Sequence, residues 1–160
     1  MGGWESFFVA EVGTSAALAG LLFVAVSINL AKIMAYPWLP GRALEALVVL
    51  LAVLVVSSLL LVPGQSPALG GGEVLGVGLA GWLAVVALQA NSLRTLRQQR
   101  RWNVATRVIA AQAATLPFVI AGVAVLARGV GGLYWLVPGI VFAFLVALTD
   151  AWVLLVEINR

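Results

Sequence analysis

The sequence predicts an all-α fold: a polytopic membrane helix bundle of five transmembrane helices, with no soluble domain. Two observations carry this reading. Of 160 residues, 63% are hydrophobic and only 9% are charged, whereas a soluble domain is about half apolar and roughly a quarter charged. The apolar residues are also gathered into five runs, each near the ~20 residues that a helix needs to cross about 30 Å of hydrocarbon. The connections are short, so 1–160 reads as a single transmembrane domain.

The first span covers about 7–31 and is interrupted by Glu11 and Asn29. The second, about 43–62, is closed by Pro63-Gly64, and Pro63–Glu73 reads as a glycine-rich loop before the third span at about 74–93. The fourth, about 104–127, has Asn103 as a candidate cap and a kink at Pro117, whose freed carbonyl Thr115 or water can satisfy. Arg128-Gly-Val-Gly-Gly separates it from the fifth span, about 134–156, and argues against one helix through both. Trp4, Trp38, Trp82, Trp102, Tyr134 and Trp135 lie mostly near span ends and read as interfacial belt residues.

Charge sets the orientation. Lys32, Arg42, Arg94, Arg97, Arg100, Arg101, Arg107 and Arg160 fall on one side of such a bundle, and only Arg128 falls on the other. The positive-inside rule then places the N-terminus out and the C-terminus in. This topology accounts for the formal net charge of +3 and leaves nucleic-acid binding without support. Arg94, Arg97, Arg100 and Arg101 resemble a voltage sensor in part of their spacing, but they lie outside the apolar window. They read as a cytoplasmic loop that contacts anionic lipid headgroups. Met1-Gly2 with Ser6 fits a myristoylation pattern, which an outward N-terminus makes irrelevant, and Glu5 argues against a signal peptide.

The inventory excludes much chemistry. Without histidine or cysteine, thiolate or imidazole metal sites, thiol redox chemistry and a serine–histidine hydrolase have no residues to use. Lys32 is the only lysine and Asp150 the only aspartate, so no aspartyl dyad is possible and no motif supports a Ser–Lys dyad. No phosphate-binding glycine motif occurs where a strand would feed a helix. The reading is a non-enzyme with no catalytic residues, no cofactor and no metal.

Polar side chains inside hydrocarbon then become the main functional signal. At 100° per residue, Glu11, Ser15, Leu18, Leu22 and Asn29 share one face of the first span. Glu11 and Asn29 are separated by about 27 Å of helix rise, with leucines between them. Such a face either lines a polar path with Leu18 and Leu22 as its constriction, or packs inward and satisfies its hydrogen bonds against neighbours. Asp150 lies about two turns inside the fifth span. It needs a cation, with Lys32 the expected partner and Arg42 the next, or it serves as a proton- or cation-binding site. Gln89, Asn91, Ser92, Gln112 and Thr115 suit interhelical hydrogen bonding. Glu45 and Glu73 sit near helix starts, where a negative charge complements the dipole.

Small residues at every fourth position allow close helix packing in lipid. Gly72, Gly76, Ala80 and Ala84 form one such ladder, and Gly139, Ala143, Ala147 and Ala151 form another. Each suits packing inside the bundle or a subunit interface.

The stretch Trp4-Glu-Ser-Phe-Phe-Val-Ala-Glu-Val-Gly-Thr-Ser-Ala-Ala-Leu-Ala-Gly-Leu-Leu-Phe-Val-Ala-Val-Ser-Ile-Asn-Leu30 resembles a group of small bacterial membrane proteins. Leu39-Pro-Gly-Arg-Ala-Leu-Glu-Ala-Leu47 and Val55-Val-Ser-Ser-Leu-Leu-Leu-Val-Pro-Gly-Gln65 are similar to the same group. Members are sometimes labelled modulators of a membrane-bound ATP-dependent protease. The resemblance covers roughly the first 65 residues and implies a bacterial inner-membrane location. The favoured function is an oligomeric channel-like protein conducting ions or protons. The alternative is a non-conducting accessory subunit or regulator of a larger membrane complex, for example a membrane protease. Self-association into a homo-oligomer is expected in the first, and a membrane protein partner in the second.

Overall fold

The computed structural model describes residues 3–95 and 101–156. Six α-helices follow in order: α1 (Glu5–Ile28), α2 (Leu30–Ala35), α3 (Leu39–Leu60), α4 (Pro67–Thr95), α5 (Arg101–Arg128) and α6 (Leu136–Leu155), with a 3-10 segment at Gly129–Trp135. No strand occurs among the described residues. Four stretches are long and apolar enough to cross a membrane: Glu5–Ile28, Leu39–Leu60, Pro67–Ser92 and Ala105–Leu155. The last has 51 residues, which as one straight helix would reach about 75 Å. Instead it folds back through the 3-10 segment into the antiparallel pair α5 and α6, so the bundle has five long helices.

Local chemistry explains where the helices stop. Asn29 leaves helical geometry at φ −105° and ψ 15°, separating α1 from the short α2, where the sequence suggests one run to residue 31. Tyr36 is extended, as a residue before proline prefers. Pro40 sits in the first turn of α3, where a missing N–H costs nothing, so α3 begins four residues before the expected start. Gly64 takes φ +74° in the turn after α3. Ser66 then caps α4: its Oγ accepts from Leu69 N–H at 3.2 Å, and Pro67 opens the helix. The expected loop up to Glu73 is therefore mostly helix. α5 already includes Asn103, so that residue lies inside the first turn instead of capping it. Gly129, at φ +68°, ends α5 in the left-handed conformation that glycine adopts without penalty.

α3 is the central helix. Half of its most apolar stretch is buried, against 17% for α1, and it packs against α1, α4 and α6. One core cluster joins Phe8, Val53, Val56, Phe118, Leu136 and Ile140 around its C-terminal half. A second joins Leu22, Ile33, Leu39, Leu50, Ala147 and Leu154 around its N-terminal half. Large apolar side chains such as Leu21, Phe23, Ile28, Ile109, Leu145 and Trp152 remain exposed around the outside, as expected of a surface that meets lipid.

The two small-residue ladders separate. Gly139, Ala143 and Ala147 are buried and Ala151 is half-buried, and a Cβ at Gly139 would lie 3.0 Å from the Phe118 ring. That ladder packs inside the bundle. Gly72, Gly76 and Ala80 are exposed, and a Cβ at Gly72 or Gly76 would meet no atom within 4 Å. The seam between α4 and α5 uses the neighbouring face. Gly71 approaches Val125 and Leu126, Gly78 approaches Phe118 and Val119, and Gly122 approaches Leu75. The three-glycine run at 70–72 stays helical because this packing stabilises a segment of poor intrinsic propensity.

A Cβ at Gly122 would lie 2.5 Å from the Leu75 backbone nitrogen, and backbone cannot step aside as a side chain does. Gly122→Ala is expected to destabilise the bundle by about 1–3 kcal/mol. Gly76→Ala, with open space around it, is expected to stay within about 0.5 kcal/mol of the native chain. Equilibrium unfolding in sodium dodecyl sulfate titrated against mild detergent measures both; equal effects would refute the packing assignment.

Candidate functional site

The bundle has two ends, one marked by Glu5 and the other by Asn29, and its buried polar groups collect near each. At the Asn29 end the first two turns of α3 carry Arg42 and Glu45, three residues apart and therefore neighbours on the helix surface. Arg42 Nε donates to Asp150 Oδ1 on α6. Glu45 is 1% exposed; its Oε1 accepts from Gln89 Nε2 of α4 at 2.7 Å, and its Oε2 accepts from Arg107 Nη2 of α5 at 2.5 Å. Three helices thus send a polar side chain to one end of α3. Arg107 also lies within electrostatic reach of Asp150. Two guanidiniums meet two carboxylates, so the cluster balances its own charge.

These contacts revise two sequence expectations. Arg42, not Lys32, is the hydrogen-bonded partner of Asp150. The break at Asn29 places Lys32 on the separate helix α2, where it is exposed, while α3 and α6 pack directly. Glu45 does more than complement a helix dipole: it is the most deeply buried charged group described and joins α3 to α4 and α5. The signal was available in the four polar side chains of Arg42, Glu45, Gln89 and Arg107, each near the same end of an apolar run.

The polar face of α1 turns inward. Ser15 is fully buried and donates to the Glu11 carbonyl at 2.6 Å. Leu22 is 1% exposed and packs with Ala46, Leu50 and Ala147, with Leu18 against the same cluster. Asn29 Nδ2 donates to the Leu154 carbonyl at 3.0 Å, taking up an orphan acceptor at the end of α6. Glu11 and Asp150 therefore stand at opposite ends of the bundle, with packed apolar layers between them. Near the Glu5 end, Glu11 Oε2 and Ser57 Oγ are buried without a hydrogen-bond partner. Ser57 was not anticipated. Two adjacent serines, Ser57 and Ser58, in a leucine- and valine-rich run give no sequence signal of which one turns inward.

Elsewhere, Trp82 Nε1 donates to Gln112 Oε1 at 2.7 Å across the α4–α5 seam. Trp82 is thus a mid-helix cross-link and not a belt residue. Thr115 Oγ1 bonds the Ala111 carbonyl at 2.8 Å, two residues before the carbonyl that Pro117 frees. Glu73 accepts from Gln65 Nε2. Arg97, Arg100 and Arg160 lie outside the described residues, as do the side chains of Arg94, Arg101 and Trp102. Among the described residues no group of three or more Asp or Glu side chains is placed to hold a metal ion.

The architecture and this internal polar wiring define a class, the all-α bundle built like an integral membrane protein. Comparison of the chain with protein-family models, curated proteins and solved structures gives no match.

Removing one member of a buried ion pair strands the other. Arg42→Ala and Asp150→Ala are each expected to destabilise the bundle by about 3–5 kcal/mol. The double replacement Arg42→Met with Asp150→Leu, which strands nothing, is expected to cost far less than the sum. A double-mutant cycle by detergent unfolding measures the coupling, and simple additivity would argue against the pair.

Proposed function

We propose that this chain is a multi-pass protein of the bacterial inner membrane that works through helix-to-helix contact, as a non-enzymatic, non-conducting accessory subunit or regulator of a larger membrane complex. Its N-terminus is outside and its C-terminus is in the cytoplasm. The asymmetry of its basic residues supports that topology, with Arg94, Arg97, Arg100 and Arg101 facing anionic headgroups on the inner side. The resemblance of the first 65 residues to labelled modulators of a membrane protease points to the same kind of role.

One observation carries the proposal. α1 keeps its polar face inside and presents small residues outside. Ala10, Gly13, Ala17 and Gly20 recur every three or four residues, all exposed, and a Cβ at Gly13 or Gly20 would meet nothing within 4 Å. Thr14 and Ser27, also exposed, bond their own helix at 2.9 and 2.8 Å, so the face is neither bulky nor unsatisfied. In lipid, where apolar area gives no preference for protein over acyl chain, a small-residue groove is what lets another helix approach. The inner carboxylates, each held by a guanidinium, favour a closed bundle over a conduit.

A second reading keeps one specific support. Glu11 Oε2, buried without a hydrogen-bond partner, is the kind of group that accepts a proton, as an oligomeric proton-conducting protein requires.

The chain contains no cysteine, so a single Ala17→Cys variant reports on the α1 face alone. A bifunctional thiol–amine cross-linker in native membranes is expected to give one discrete adduct from Ala17→Cys and none from Leu148→Cys, which is exposed on α6. Gly13→Leu should abolish the adduct while leaving the unfolding midpoint unchanged. Purified protein in liposomes should pass neither protons nor potassium. Proton flux removed by Glu11→Gln would replace the proposal with the second reading.

A further inference from the structure

A concavity of about 320 Å³ runs between α1 and α6 in the half of the bundle that ends at Asn29. Its floor is Ala147, which is buried, and Ala151, which is half-buried. Its walls are Leu18 and Leu21 on one side and Leu148, Trp152 and Leu155 on the other. Small side chains between large ones leave a trough that the bundle itself does not fill, and no charged residue lines it. Towards the Glu5 end, α6 places Phe144 one turn before Leu148 on the same side, half-buried against both core clusters. The stretch from Ala147 to Leu155 is about 12 Å of helix rise, within the ~15 Å of hydrocarbon that one leaflet provides. At the other end, the Asn29 side chain bonds the Leu154 carbonyl at 3.0 Å and so brings the end of α1 to the mouth of the trough. Lys32 follows within one turn, exposed on α2.

We propose that this trough holds one acyl chain of an anionic inner-leaflet phospholipid, with the phosphate at the level of Lys32. An unfilled apolar wall loses its dispersion contacts, and in a bilayer the acyl chain is the material at hand to restore them. Length selects a chain over a helix. A transmembrane helix crosses about 30 Å and would run past the trough onto Phe144 and the exposed Val141 and Leu145, whereas the chain of one leaflet ends there. Charge selects the headgroup. Lys32 brings an ammonium to the mouth, while Asp150, the carboxylate on this part of α6, is held by Arg42. A basic residue near the membrane surface attracts anionic lipid, and a zwitterionic headgroup has no net charge to answer it. The assignment to the inner leaflet rests on the topology proposed above and on no other part of that reading. Ala10, Gly13, Ala17 and Gly20, where a partner helix docks, lie on the far side of Leu21 at 100° per residue.

The test reads Trp152, whose ring is exposed on the wall of the trough, by quenching from lipids brominated in their acyl chains. The full chain is reconstituted in vesicles of equal phosphatidylglycerol and phosphatidylcholine, with one or the other brominated. The Trp152 emission is the difference between the native chain and Trp152→Phe. Phosphatidylglycerol is expected to exceed phosphatidylcholine at this site by about fivefold, the preference that one basic residue near the surface gives. Lys32→Gln should bring the two lipids to within about twofold, and Lys32→Arg should keep the preference. Ala151→Leu, which fills the floor, should abolish it with Lys32 still in place, and the smaller Ala151→Val should weaken it. Unfolding in sodium dodecyl sulfate identifies the variants that remain folded. Both leaflets of these vesicles carry both lipids, so the readout does not depend on which end of the bundle is cytoplasmic. Equal quenching by the two lipids in the native chain overturns the proposal. So does a preference that a folded Ala151→Leu leaves intact, which would mark a diffuse surface attraction, or a cross-linked adduct at Leu148→Cys, which would seat a partner helix in the trough.

Discussion

A carboxylate inside an apolar bundle must be neutralised or bonded where it stands, and Glu45 stands buried near the Asn29 end of this one. Its two oxygens are held from different helices, Gln89 on α4 and Arg107 on α5, while Arg42, one turn earlier on α3, reaches Asp150 on α6. Leucine, valine and alanine surfaces permit many axial offsets at similar energy, and in lipid they gain little from meeting one another instead of acyl chains. Sliding any of these helices by one turn, about 5.4 Å, would strand a charge. The cluster therefore selects one register from many that apolar packing alone would tolerate. Register specification is the best-attested role of buried polar pairs, and it does not require that the pairs add net stability.

Close approach depends on that register. The α4–α5 seam works because Gly71, Gly78 and Gly122 each face backbone on the other helix, and a shift of one residue would bring Leu75 or Phe118 against a Cβ. The Trp82–Gln112 bond lies on the same seam. Polar selection and steric permission thus reinforce each other along α4. Asn29 extends the scheme to α1 by taking up the Leu154 carbonyl, so every long helix is tied to another by at least one polar contact or one glycine approach.

The number and approximate positions of the long helices were legible in the sequence because crossing hydrocarbon is a one-dimensional requirement, met by a run of about 20 apolar residues; their ends were not, as the early starts of α3 and α4 show. Even the reversal at Gly129 was visible as a glycine-rich break. Partnership was not legible, because it depends on which faces meet. In a chain with 17 glycines, the every-fourth-residue ladder Gly72–Gly76–Ala80 looked like a packing face, yet the working seam lies beside it. Asp150 was marked as needing a cation, but the break at Asn29 decided between Lys32 and Arg42, and such a break is hard to read within an apolar run. Glu45 was read as a dipole partner because its burial arises from α4 and α5, both distant in sequence.

The two ends of the bundle differ in a way that bears on function. At the Asn29 end, two carboxylates each accept from a guanidinium, with Arg107 Nε buried and without a partner. At the Glu5 end the acidic residues Glu5, Glu11 and Glu73 have one arginine near their level, the exposed Arg128, and the oxygens Glu11 Oε2, Ser57 Oγ and Gln65 Oε1 are buried without partners. Burying an acceptor without a donor costs about 1–3 kcal/mol, so these oxygens weigh against the stability of that end. A cluster that balances itself serves the fold. The described carboxylates at the Glu5 end have no guanidinium contact of that kind, and that asymmetry separates the end that fixes helix register from the end that does not.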